Sequence, residues 1–226
     1  MTKDIGIVLL PNQECKDFAI HMASEAAKAL PSFKEATNNP HITLIHIANL
    51  NPDEETKLHE HFLSIVADIY FKEIHLPIIG INPTGGNDAE GYKWLDLQFE
   101  TLPALASLRE PVIANFCPFH NGTLTRMHDD MEKFTPEQKD QIEKCGVTFG
   151  NYLPHITTWY IDLPNESKTT LLQDLANSLK NEEINFTCRA EAIALVELGR
   201  NGNAIEIIQQ YSFQEVAGSD SEHMEL

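Results

Sequence analysis

The tetrapeptide Pro-His-Ile-Thr occurs twice in this 226-residue chain, at residues 40–43 and again at 154–157. Each copy leads into a short apolar run and then a helix start marked by proline, Asn51-Pro52-Asp53-Glu54 in the first half and Pro164-Asn165-Glu166 in the second. A capping side chain, proline in the first turn and early acids are what the positive end of a helix favours. Two strands joined by a turn follow in each half. The first pair is 73–81 and 92–100, around Pro83-Thr84-Gly85-Gly86-Asn87-Asp88. The second is 185–198 and 204–213, around Gly199-Arg200-Asn201-Gly202-Asn203. This duplicated order predicts an α+β chain of two pseudo-symmetric lobes. Each lobe has an antiparallel sheet with flanking helices, and the motif strands face each other across a cleft.

Around this repeat, 5–10 reads as a buried strand and 13–30 as an amphipathic helix ending before Pro31. A helix over 103–116 must be bent or interrupted by Pro111, and 118–130 reads as a loop. Thr135-Pro136-Glu137 starts a short helix that Gly146 ends. Residues 1–214 form one bilobal domain, and the acidic tail 215–226 is expected to be disordered.

The chemistry lies in the motif letters. Residues i and i+2 of a strand share a face, so His41 presents an imidazole beside the hydroxyl of Thr43, and His155 does so beside Thr157. Imidazole titrates near neutrality and can take or give a proton. Two of them facing each other across a cleft can divide those tasks, with the threonines as hydroxyl donors for an anion. The bland alternative for each histidine is a ring hydrogen-bonded within the core. By the same parity, Trp159 shares the face of His155 and Thr157 and could stack on a base, whereas His46 points away from His41. Phe119 and Tyr152 are further candidate stacking surfaces, and Arg126 could reach a phosphate.

These motifs resemble those of the 2H phosphoesterase superfamily, which includes the 2′-5′ RNA ligase-like proteins and the cyclic nucleotide phosphodiesterases. The family is defined by two His-x-Thr/Ser-hydrophobic motifs half a chain apart. His41-Ile42-Thr43-Leu44 fits fully; His155-Ile156-Thr157-Thr158 departs at its last position. The resemblance implies a metal-independent phosphodiesterase without cofactor, acting on a 2′,3′-cyclic phosphate or a short 2′-5′ linked nucleotide. It implies His155 as the base on water and His41 as the acid.

Charge narrows the ligand. The chain carries a formal −18 with 16 basic residues, of which four are arginine. Proteins that hold long nucleic acids neutralise many phosphates with lysine and arginine, so a small nucleotide or a short oligonucleotide end is the expected partner. No apolar run reaches membrane-spanning length, and nothing in the pattern bears on oligomeric state. The amino terminus lacks a signal-peptide pattern. Cys15, Cys117, Cys145 and Cys188 show no paired spacing, which predicts reduced thiols in a cytoplasmic protein.

Two other functions fit parts of the sequence. One is a non-catalytic module that binds a nucleotide in the same cleft. The other is a metal-dependent hydrolase built on His120 with His128, Asp129 and Asp130. His59 and His61 stand two apart on a helix, which is poor geometry for one ion.

Overall fold

The structure is a computed structural model that describes residues 2–30, 39–68, 74–84, 93–122, 134–146, 152–161, 166–182, 184–199 and 202–213. Expectations for Arg126, for His128, Asp129 and Asp130, for the middles of both hairpin turns and for the tail 215–226 lie outside the described residues.

Two antiparallel sheets carry the two motifs. β1 (Lys3–Pro11) pairs with β2 (Ile42–Leu50) on one edge and with β7 (Arg189–Leu198) on the other. β8 (Ala204–Ser212) and the short β3 (Ile74–His75) share the far edge of β7. The second sheet has the order β4 (Ile78–Thr84), β5 (Trp94–Phe99), β6 (His155–Tyr160). The halves of the sequence therefore do not build one lobe each. The hairpin that follows the first motif pairs with the second motif strand, and the hairpin that follows the second motif joins the first sheet.

Helices cross over in the same way. α1 (Gln13–Ala29) lies between β1 and β2 in sequence yet packs on β6, while α3 (Pro103–Phe116) lies between β5 and β6 yet packs on β2. Each helix buries its apolar stripe against the other lobe. A single hydrophobic cluster consequently runs from Ile7, Leu9 and Ile42 in the first sheet through Met22, Phe62 and Phe116 to Leu95, Leu97 and Trp159 in the second. In this shared core each sheet is covered in part by a helix from the other lobe.

Local signals explain most boundaries. α2 (Pro52–Asp68) begins with proline and three acids. α4 (Pro136–Cys145) starts at a reciprocal capping box, in which Gln138 N donates to Thr135 Oγ1 at 3.3 Å and Thr135 N to Gln138 Oε1 at 3.0 Å. It ends at Gly146, which is left-handed at φ +67°. A Cβ there would stand 2.0 Å from the His46 carbonyl oxygen, so glycine is required both by backbone conformation and by close approach. α5 (Glu166–Lys180) covers β4.

Pro111 does not interrupt its helix, and the expectation for the cysteines is corrected. α3 runs unbroken through Pro111, and the Asn115 side chain donates to the Pro111 carbonyl at 2.8 Å. Packing of Leu108, Val112 and Phe116 against the core outweighs the backbone bond that proline removes. The cysteines, scattered in sequence, are brought together as two disulfides. Cys15 pairs with Cys188 at a Cα separation of 5.3 Å, and Cys117 with Cys145 at 4.5 Å. The first joins the start of α1 to the entrance of β7; the second joins the end of α3 to the end of α4. Reduced thiols were the ground for expecting a cytoplasmic protein, and the structure removes that ground. Among the described residues no helix is long and apolar enough to cross a membrane.

Candidate active site

The two motif strands distort identically. In β1–β2, Val8 opposes Thr43 but the preceding Ile7 opposes Ile45, leaving Leu44 as an extra residue. In β5–β6, Asp96 opposes Thr157 but Leu95 opposes Trp159, leaving Thr158 as the extra residue. Each strand thus bulges at the residue after its threonine, and a bulge reverses the inside–outside alternation beyond it. Thr158 is fully buried, and its hydroxyl is satisfied by the Leu95 carbonyl at 3.0 Å. That bond explains how a polar residue occupies a position where the resemblance anticipates an apolar one.

The imidazoles are held alike. His41 Nδ1 lies 2.8 Å from the Asn39 carbonyl, and His155 Nδ1 lies 2.8 Å from the Leu153 carbonyl. A carbonyl oxygen only accepts, so each Nδ1 carries the hydrogen and each neutral ring keeps its lone pair on Nε2. The tautomer needed for taking a proton at Nε2 is therefore set, in both motifs, by the carbonyl two residues before the histidine. His41 is largely buried and His155 half-buried.

The strands meet directly. Cα atoms of β2 and β6 approach within 8 Å, and Tyr152, three residues before His155, donates its hydroxyl hydrogen to the Thr43 carbonyl at 2.7 Å. The Arg109 guanidinium lies 4.1 Å over the Tyr152 ring, and its Nε donates to the Leu44 carbonyl at 3.1 Å. Two carbonyls at the first bulge are thus clamped by a stacked pair. Burial pushes the Tyr152 phenol well above its ordinary range, so it stays a donor; burial also lowers the Arg109 pKa, against an opposing pull from Tyr152. Arg109 further lines a cavity of about 480 Å³ beside Ile113, Ala114 and the Cys117–Cys145 pair, and neither motif histidine lines it.

The bulges correct two parity assignments. Trp159 is fully buried beside Leu95 and Leu97 in the common core, so its indole has no surface to offer a base. Tyr160 instead opposes Trp94, on the face that carries Asp96 and Thr157. Their rings stand 6.1 Å apart at 34°, half-buried, and form the aromatic surface on the motif face. His46 opposes Gly6 and so shares the face of Thr43. Neither placement is legible in the sequence, because a bulge has no pattern of its own in a single apolar run.

Other candidates fall elsewhere. Tyr152 is committed to the Thr43 carbonyl and to Arg109 and acts as a brace. Phe119 packs on His61 and Phe116, with ring centroids 5.6 and 6.4 Å away. His120 anchors backbone: Ala48 N donates to its Nδ1 at 2.9 Å, and its Nε2 hydrogen goes to the Gly122 carbonyl. Burial lowers its pKa despite those bonds. With both ring nitrogens engaged, His120 has none left for an ion, and among the described residues no three potential metal ligands cluster. Asp96 is a residue the sequence analysis overlooked. It accepts from Thr157 Oγ1 at 2.8 Å and from Thr84 Oγ1. Beside it, Lys180 Nζ donates to Asn82 Oδ1 at 3.0 Å and Asn82 Nδ2 to Gln98 Oε1 at 2.7 Å. Gln98 is the cross-strand neighbour of His155.

No protein-family model matches the chain, and no curated protein matches it in sequence. Solved structures match it in fold. TT0787 of Thermus thermophilus superposes with a TM-score of 0.55 at 14% identity, over 94% of this chain and 99% of that one. E. coli LigT, solved with 3′-AMP, superposes with a TM-score of 0.50 at 13% identity, over 95% of this chain and 100% of that one. The chain therefore shares the two-lobed α+β fold of these two structures.

Proposed function

We propose that the chain is a metal-independent phosphodiesterase acting on a 2′,3′-cyclic phosphate or a short 2′-5′ linked nucleotide. The observation that carries this reading is the doubled arrangement itself. Two bulged strands each hold a histidine with its Nδ1 hydrogen on a backbone carbonyl 2.8 Å away, and the strands are tied together by Tyr152. A core histidine needs no second copy with the same tautomer and the same bulge. The 3′-AMP held by LigT supports a nucleotide as ligand, and the −18 charge supports a small one.

In hydrolysis of a cyclic phosphate, Nε2 of His155 takes a proton from water as the water oxygen bonds to phosphorus. The opposite P–O ester bond breaks, and protonated His41 gives its Nε2 proton to the leaving ribose oxygen. Each histidine ends in the form the other began in, so proton exchange with solvent resets the pair. A hydroxyl in place of water gives the transfer direction.

The test is a chelator-treated assay on the four nucleoside 2′,3′-cyclic monophosphates and a 2′-5′ dinucleotide. Turnover that survives the chelator and falls at least about a hundredfold in both His41→Ala and His155→Ala supports the mechanism. Near-full activity in either variant rejects it. Nucleotide binding without turnover in the intact protein identifies a binding module instead.

A further inference from the structure

The two motif threonines have different neighbours at matching positions. Across the first sheet, Thr43 opposes Val8, which opposes Ala194. Across the second, Thr157 opposes Asp96, which opposes Asn82. Asp96 is only 3% exposed, and among the described residues no lysine, arginine or histidine pairs with it. Its two bonds come from the hydroxyls of Thr157 and Thr84. Both carboxyl oxygens accept, one from each threonine, so each threonine commits its single hydrogen to Asp96. Thr157 is left with lone pairs alone for the cleft. Thr43, beside Val8, makes no side-chain hydrogen bond among the described residues and keeps its hydrogen for a ligand.

We propose that Asp96 is a positioning residue that gives the motif threonines opposite hydrogen-bond polarity. Thr43 donates to a non-bridging phosphate oxygen. Thr157 accepts from a hydroxyl, either that of the attacking water or that of the ribose carbon next to the scissile ester. This rests on the phosphodiesterase reading above. Charge supports it: a phosphate oxygen on Thr157 would lie one hydroxyl away from a buried carboxylate, and like charges at that spacing repel strongly where water is excluded. A neutral hydroxyl in the same place completes the chain of hydrogen bonds at no such cost.

The probe is 2′-deoxyadenosine 3′-monophosphate at pH 8, a dianion with no neighbouring hydroxyl, titrated against each variant by calorimetry. Thr43→Val weakens binding at least about tenfold, and Thr157→Val less than about threefold. Equal losses in the two variants overturn the proposal while leaving the phosphodiesterase reading standing. An intact protein that neither binds the probe nor turns over the nucleotide panel overturns both. The second arm compares kcat of Thr157→Val on a 2′-5′ dinucleotide and on its 3′-deoxy analogue. Equal loss on both assigns the hydroxyl to water, and loss only on the 3′-hydroxyl substrate assigns it to the ribose. No loss on either overturns the proposal. In Asp96→Val, which copies the residue opposite Thr43, Thr157 regains a free hydrogen and Thr157→Val now weakens the probe about tenfold. If Asp96→Val does not fold, the comparison of Thr43→Val with Thr157→Val decides alone.

Discussion

Thr157 and Trp159 stand two residues apart on one strand and face opposite sides of its sheet. The bulge at Thr158 reverses the alternation, so the hydroxyl looks towards the motif face and the indole into the core. Trp159→Ala is accordingly expected to cost about 3–5 kcal/mol of stability, read as a lowered urea midpoint. Tyr160→Ala, on the motif face, leaves stability nearly unchanged and raises KM about tenfold if its ring stacks on a base. The reverse pattern would return Trp159 to the cleft.

Tyr152 braces the first motif from the segment that introduces the second. Removing its hydroxyl leaves the Thr43 carbonyl without its donor, while the Arg109 guanidinium can still cover the ring. Tyr152→Phe should lose about 1–3 kcal/mol of stability and about tenfold in kcat with KM little changed, because the bulge that aims Thr43 loosens. A variant with unaltered kcat would reduce Tyr152 to a packing residue.

Gly146 touches the backbone of β2 where no side chain fits. Gly146→Ala combines a left-handed φ with a 2.0 Å approach to the His46 carbonyl oxygen. A loss of at least about 2 kcal/mol is expected in thermal or urea unfolding.

His120 makes the link between β2 and the 121–122 turn sensitive to acid. Its Nδ1 accepts from Ala48 N and must stay unprotonated. Its folded pKa lies below the usual histidine value, with burial the main cause. The unfolded chain therefore takes up a proton first as pH falls, so stability is full above about pH 6.5 and declines below it. His120→Asn, whose amide oxygen can replace Nδ1, should flatten this part of the pH–stability curve. An unchanged slope would assign the acid sensitivity to another group.

Both disulfides tie segments distant in sequence, 173 residues apart for Cys15–Cys188 and 28 for Cys117–Cys145. Thiol titration of the native protein, handled without reductant, should find none of the four cysteines free. Reduction should then cost about 2–4 kcal/mol per bridge. Four titratable thiols in the native protein would restore the reduced state expected from their spacing.

Short-range physics determined much of this protein from sequence alone. The duplicated Pro-His-Ile-Thr, the proline and asparagine helix starts, Gly146 and the turn-rich hairpins act over a few residues. They place nearly every element and single out His41, Thr43, His155 and Thr157. Tertiary structure decided the rest, because long-range pairing has no local signature. It chose which hairpin pairs with which motif strand and which lobe each helix covers. It carried α3 through Pro111 and brought each cysteine to its partner. It also set the bulges, and with them the burial of Trp159, the facing of Tyr160 and His46, and the placing of Val8 against Thr43 but of Asp96 against Thr157. A one-residue slip in strand register is invisible in an apolar run, yet it reverses every side chain beyond it.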